Sequence, residues 1–286
     1  MMPSAHAMLQ IEDLVFAYPE GGQAPVFDGF TWQVNAGESW AVIGPSGCGK
    51  STLLYLIAGL RQPTSGRVLV DGQRVPRPRA STGLILQDYG LLPWATVWEN
   101  VALVMRIGRF YRGKAGSGLG LRPYPREDIT ARQVDGWLAR LGIENLRDKY
   151  PGQISGGQRQ RTAIARSLLQ QPNLLLMDEP FASLDALTRE DLQQLIVDLR
   201  RETGVTPPGA SARGEALDRR EGVTTVIVTH NIEEAVFLGQ HILALDHAPN
   251  TSAHVIENPE AAHAAYRDQP TYLQKCTELR SALTSR

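Results

Sequence analysis

The stretch SWAVIGPSGCGKSTLLYLIAGL (Ser39–Leu60) constrains the fold more than any other part of this 286-residue chain. A short apolar run ends at Gly44, and a helix-like run begins after Gly49. Between them stands G-x-x-x-x-G-K-[ST], with Gly44, Gly49, Lys50 and Ser51 at the specified positions. A strand that feeds a helix through such a turn can wrap its backbone N–H groups around a phosphate, because glycine permits the tight path. Pro45, Ser46, Gly47, Cys48 and Thr52 complete the loop; Lys50 reaches the outer phosphates and the Ser51 hydroxyl can ligate Mg²⁺. The plain alternative is a glycine turn capping a helix, and the strand–loop–helix context argues against it. Cys48 serves there as a small residue and needs no redox role.

A phosphate turn of this type needs a magnesium partner and a group that prepares water. NLLLMDEP (Asn173–Pro180) supplies both: Asp178 ends an apolar strand-like run and Glu179 follows it, where a carboxylate can orient or deprotonate the attacking water. Around these lie further strand-like runs, LQIEDLVFAY, FTWQV, RVLVDG, STGLILQ, TTVIVTH and HILALD, alternating with helical ones. The pattern predicts an α/β fold with a largely parallel sheet buried on both faces, and a mainly helical block from about Leu91 to Leu169.

Composition narrows the classes. A net charge of −1 provides no basic field for nucleic acid, and a 42% hydrophobic, 21% charged chain is ordinary for a globular protein. Two cysteines cannot build a disulfide framework, which points to a reducing compartment. MMPSAHAMLQ has neither a basic n-region nor an apolar h-region, so no signal peptide is expected, and the apolar runs fall short of the roughly 20 residues a bilayer span needs. Two stretches, Arg106–Asp128 and Thr203–Thr224, read as long loops. Each is a surface insertion in the plain reading; the basic character of the first also suits a contact with anionic lipid headgroups or an acidic partner. In PTYLQKCTELRSALTSR, Tyr272, Cys276, Leu279 and Leu283 recur at helical spacing, which predicts a docked amphipathic helix.

Other polar residues gain meaning from position. Gln87 follows the GLIL run, where it is either a site residue or a surface one. His230 ends TTVIVTH, a strand tip of the kind where ligands collect in open α/β sheets, or else it caps a helix. Tyr18 can stack on an adenine ring or pack in a core. ISGGQRQR (Ile154–Arg161) is a second helix start with exposed N–H groups, at Ser155, Gly156, Gly157 and Gln158, with no strand leading into it.

In order, Tyr18, GPSGCGKST, Gln87, ISGGQRQR, LLLMDEP, SLD (Ser183–Asp185) and His230 resemble the motifs of the ATP-binding-cassette ATPases, over about Leu9 to Asp246. The resemblance implies a P-loop NTPase core (8–87 and 170–246) carrying an N-terminal antiparallel β subdomain. It implies an inserted helical subdomain (88–169), with a short C-terminal helical extension (247–286), all in one nucleotide-binding domain. By the same resemblance Tyr18 stacks on adenine, the Gly44–Thr52 loop binds ATP phosphates, and Ser51, Gln87 and Asp178 serve Mg²⁺. Glu179 is then the catalytic base, with Gln87 and His230 at the γ-phosphate. Ser155–Gln158 engages ATP held by a partner copy, and Asp185 shapes the dimer interface. Ile154, Leu86 and Asn231 are mild departures outside the reacting atoms.

A narrower resemblance, carried by LILQDYGLLPWATVWENVAL, MDEPFASLDALTRE and VTHNIEEAVFLGQHILAL, is to the ATPase subunits of nitrate, sulfonate, taurine and bicarbonate importers. It implies a cytosolic ATPase, dimeric, held peripherally at the inner face of the membrane by permease chains and served indirectly by an extracytoplasmic solute-binding protein. Trp94 and Trp98 then meet the permease, since tryptophan is enriched at hot spots, or they pack inside the helical block. A soluble cassette ATPase of repair, translation or iron–sulfur assembly, and the ATPase of an exporter, are the other classes with these motifs. The single phosphate turn and the LLPW run speak against the first.

Overall fold

The computed structural model describes residues 6–19, 24–112, 130–201 and 222–284. Its elements are β1 (Ala7–Phe16), β2 (Phe27–Asn35), β3 (Ser39–Ile43), α1 (Lys50–Ile57), β4 (Ser65–Val70), β5 (Gln73–Arg74) and β6 (Thr82–Ile85). After these come α2 (Val97–Arg112), α3 (Ala131–Arg140), α4 (Gly156–Leu168), β7 (Leu174–Asp178) and α5 (Ala186–Arg201). The last are β8 (Thr224–Val228), α6 (Ile232–Leu238), β9 (His241–Ala244), β10 (His254–Glu257) and α7 (Pro270–Thr284).

Strands β3, β7 and β8 are buried at every position. Such unbroken burial is what a parallel strand covered on both faces requires. They form the middle of a six-stranded sheet ordered β10-β9-β3-β8-β7-β6, parallel except for β10, which runs antiparallel to β9. Strand pleating sends alternate side chains to opposite faces. Val42, Leu174, Leu176, Val226 and Val228 face one layer, packing with α1 (Leu53, Leu54, Leu56, Ile57) and with a second sheet. Ala41, Ile43, Leu175, Met177 and Ile227 face the opposite layer of helices, where Trp137 of α3 is fully buried.

The second sheet is antiparallel, ordered β2-β1-β4-β5, with Leu9, Ile11, Leu14 and Phe16 of β1 turned inward. Because β3, β8 and β7 are parallel neighbours, their C-terminal ends share one edge. The crevice at that edge is where open α/β sheets place ligands.

Two expectations are corrected. Arg106–Arg112, read as the start of a loop, continues α2; the rest of the expected 106–128 loop, from residue 113, lies outside the described residues. Arginine is a good helix former, and one mid-helix glycine costs only about 1 kcal/mol, so a helix already nucleated can run through the stretch. The 247–286 segment is not purely helical: β10 joins the sheet edge, with Ile256 opposite Ile242, before α7 docks through Tyr272, Cys276 and Leu279. Most of the expected 203–224 loop is likewise outside the described residues. Among the described residues no helix is long and apolar enough to cross a membrane.

Candidate functional site

The turn between β3 and α1 sits at the central sheet edge. Gly49 caps α1 with φ 109° and no side-chain cap, so the first N–H groups of the helix are left for an anion. A Cβ at Gly49 would overlap the Val26 side chain, and one at Gly44 would lie 2.5 Å from the Leu245 carbonyl oxygen, so both positions demand glycine. Pro45, Ser46 and Gly47 arch outward, Ser46 and Gly47 exposed, while Cys48 is buried. Lys50 is 8% exposed and folds back on the loop, its Nζ donating to the carbonyls of Gly44 (2.9 Å) and Pro45 (2.8 Å).

The next two hydroxyls are anchored in opposite directions. Ser51 Oγ donates to Asp178 Oδ1 at 3.0 Å, so a hydroxyl and a carboxylate from two motifs, 127 residues apart, meet beside the turn. Burial holds the Asp178 carboxyl above its usual range, opposed by hydrogen bonds from Ser51 and Tyr55. Thr52 Oγ1 shares a 2.7 Å hydrogen bond with the Tyr18 hydroxyl. Tyr18 itself is half-buried, edge-on to Phe16, with the Arg61 guanidinium 4.7 Å from its ring centre.

Glu179 follows β7 in the left-handed region (φ 44°), held there by its N–H donating to Val228 O at 2.9 Å. A non-glycine residue persists in that conformation only where its surroundings impose it, and such positions cluster at reactive sites. His230 follows β8, and its Nδ1 lies 3.2 Å from Glu179 Oε1, with the imidazole 65% exposed. Behind the pair a small polar cavity is lined by Thr229, Arg189, Asn231 and Glu234. Burial raises the Glu234 carboxyl, which accepts from Thr229 Oγ1 at 2.6 Å and faces Arg189 Nε at 3.6 Å. Asn231 caps α6 by accepting from the N–H groups of Glu233 and Glu234.

The second turn rests on different supports. Ser155 caps α4 in a capping box: its Oγ accepts from Gln158 N–H, and Gln158 Oε1 accepts from Ser155 N–H at 2.9 Å. The Gly156 and Gly157 N–H groups belong to the first helical turn, which lacks intrahelical acceptors. Gly156 abuts Tyr89 and Ser183, and Gly157 abuts Thr188 of α5. Ser155 is exposed, and its neighbours are none of those that support the first turn.

Four more expected residues are distributed around this frame. Gln87 is exposed two residues past β6. Asp185 caps α5, accepting from Thr188 N–H at 3.0 Å, a bond that holds its carboxyl below the usual range. Trp94 is 73% exposed. Trp98 differs from Trp94: it packs against the helical core and its indole N–H donates to Asp135 at 2.8 Å, because its place in the first turns of α2 directs it toward α3. Its contacts are internal.

Sequence reasoning assigned nothing to Asn100, Arg166, Tyr89 or Asn250. Asn100 is fully buried and bonds Leu92, Ala95 and Thr96, fixing the turn that presents Trp94. Arg166 donates to the carbonyls of Tyr89 and Gly90, and the Tyr89 hydroxyl bonds Ser183, tying the Gln87 segment to α4 and to the SLD turn. An Asn inside the LLPW-x-TV-x-x-N pattern was a signal for the first; the others carry none.

A sheet edge that joins a glycine turn, Lys50, Ser51, Asp178, Glu179 and His230 defines an α/β nucleotide triphosphatase of the phosphate-turn class. The sequence matches the family described as ABC transporter over residues 27–182, and the chain belongs to that family as an ATP-binding-cassette ATPase. It is 39% identical over 235 residues to the nitrate import ATP-binding protein NrtC of Synechococcus elongatus, covering 82% of this chain but only 31% of that protein. It is 38% identical over 242 residues to the taurine import ATP-binding protein TauB of Shigella boydii, covering 85% of this chain and 81% of the relative. The fold is similar, with a TM-score of 0.66 and 27% identity over 87% of this chain and 98% of the other, to the dimeric post-hydrolysis state of the ATP-binding cassette MJ0796 bound to ADP and Pi.

Proposed function

We propose that this chain is the ATP-hydrolysing subunit of an importer for a small oxyanion of the nitrate or sulfonate class. It works as a dimer on the cytoplasmic side of the membrane against separate permease chains, with a solute-binding protein on the far side. The observation that carries the ATPase part is the meeting of Ser51 with Asp178 and of Glu179 with His230 beside one glycine turn. The importer class and the solute class come from NrtC and TauB, named for nitrate and taurine import.

In this reading ATP phosphates occupy the Gly44–Thr52 turn, and Lys50 exchanges its two loop carbonyls for phosphate oxygens. Ser51 and Asp178 fit Mg²⁺, because their hard oxygens already lie side by side. When bound, the ion neutralises phosphate charge. Gln87 completes that surround, and Tyr18 meets the adenine. Glu179 takes the proton from the attacking water, and His230 holds both Glu179 and the γ-phosphate oxygens. ADP and phosphate leave. Ser155 keeps a hydroxyl hydrogen for a partner's γ-phosphate, because its oxygen, not its proton, is used in the capping box. Asp185, capping α5, shapes the surface that meets the partner. The 88–169 lobe, through Trp94, meets the permease.

The test is reconstitution in proteoliposomes with a cognate permease and solute-binding protein. ATP hydrolysis stimulated by the loaded binding protein, with nitrate or taurine accumulating inside the vesicles, supports the proposal. Hydrolysis indifferent to permease and binding protein overturns the importer reading.

A further inference from the structure

Asn250 lies in the HAPN segment after β9 and is 4% exposed. Its backbone N–H donates to Val26 O (3.0 Å) and its carbonyl accepts from Asp28 N–H (3.0 Å). Its side chain uses both ends of the amide. Oδ1 accepts from Asp246 N–H at 2.9 Å, and Nδ2 donates to the Cys48 carbonyl at 2.8 Å, with a longer 3.4 Å bond to Val26 O. Only a carboxamide offers an acceptor and a donor at these two points with this shape.

Cys48 stands in the middle of the phosphate turn, 202 residues from Asn250. In a trans peptide the C=O and the next N–H point in opposite directions. A Cys48 carbonyl held toward Asn250 therefore turns the Gly49 N–H away from it, fixing the plane of a peptide that must donate to phosphate. Gly49 cannot fix that plane itself, because at φ 109° it has no side chain to restrict rotation. An anchor from outside the turn is needed, and donors set before the ligand arrives bind it without a reorganisation cost.

We propose that Asn250 is a positioning residue that holds the Cys48–Gly49 peptide in its phosphate-binding orientation in the nucleotide-free chain. The inference rests on the reading of Gly44–Thr52 as the phosphate turn. Its test compares the full-length chain with Asn250→Ala, Asn250→Asp and Lys50→Ala. The readouts are calorimetric MgATP affinity, KM and kcat for MgATP, and melting temperature. Asn250→Asp keeps the shape and the Oδ1 acceptor but sets an oxygen against the Cys48 carbonyl.

Loss of one buried hydrogen bond predicts Kd and KM raised about five- to tenfold in both Asn250 variants, with kcat at saturation within about twofold of wild type and Asp no better than Ala. Wild-type affinity in Asn250→Asp means that the side chain only fills space, and it overturns the proposal. So does an unchanged KM in both variants with a lowered melting temperature, or a loss confined to kcat. Lys50→Ala separates the two readings. If it loses MgATP and the Asn250 variants do not, this inference alone fails; if it binds normally, the phosphate-turn reading fails with it. A measurement independent of variant folding is the side-chain amide of Asn250 in the nucleotide-free wild type: slow proton exchange supports the brace, and exchange at the free-amide rate overturns it.

Discussion

At the start of α1, the donors lie inside a loop whose glycines are forced by Val26 and Leu245, with a buried lysine and a carboxylate already within reach. At the start of α4 the donors sit on an exposed serine cap closed by Gln158, and its glycines rest on Tyr89, Ser183 and Thr188. Both expose helix N-terminal N–H groups, and a macrodipole favours an anion at either. The first turn has what a triphosphate and its cation need in one chain. The second offers an exposed cap and helix N–H groups, which suits the proposed site completed by another copy. In the proposed function the chain therefore holds two unlike halves of a site.

Glu179→Gln breaks the comparison most sharply. It removes the carboxylate that the proposed mechanism uses as proton acceptor but leaves both turns, so turnover is expected to fall about 10²- to 10⁴-fold, the range for a lost general base, while MgATP still binds. Size-exclusion chromatography with MgATP then shows a trapped dimer; unimpaired turnover would remove Glu179 from that role. Ser155→Arg tests the second turn. Replacing the donor that the proposed function sets against transition-state charge by a bulky cation is expected to cut hydrolysis about a hundredfold, while ATP binding by the monomer, read by calorimetry, stays at the wild-type value. If monomer binding falls too, the α4 turn serves its own chain. Lys50→Ala weakens MgATP binding by about tenfold, since a charge-assisted contact to phosphate is lost, and it does so in monomer and dimer alike. An effect confined to the dimer would erase the distinction between the turns.

The first turn was legible because its chemistry is written in consecutive residues. Gly44, Lys50 and Ser51 need only a strand before and a helix after them, and both are local patterns. The burial of β3, β7 and β8 on both faces was legible for the same reason, in their unbroken apolar runs. What was hidden depends on partners far along the chain. Asn250 is one polar residue in a turn until β9 carries it under Cys48, and Tyr89 is an aromatic in a loop until Ser183 and Arg166 meet it. The β10 strand is short and weakly patterned, and it exists because β9 offers an unpaired edge. Trp94 and Trp98, alike in sequence, were separated only by the direction in which α2 begins.

That separation yields the smallest expected effect. Asn100 spends its side chain on Leu92, Ala95 and Thr96, which makes the Trp94 turn rigid, yet the indole itself is left in solvent. A braced, exposed tryptophan lowers the entropic cost of a protein contact and buries little of itself within the chain. Trp94→Ala should therefore leave the melting temperature and basal hydrolysis unchanged and reduce permease-stimulated hydrolysis about two- to fivefold in the reconstituted complex. Trp98→Ala should do the reverse, lowering the melting temperature by loss of its packing and its bond to Asp135. Equal destabilisation by both substitutions would place Trp94 in the fold, and the contact surface would have to be sought elsewhere on the chain.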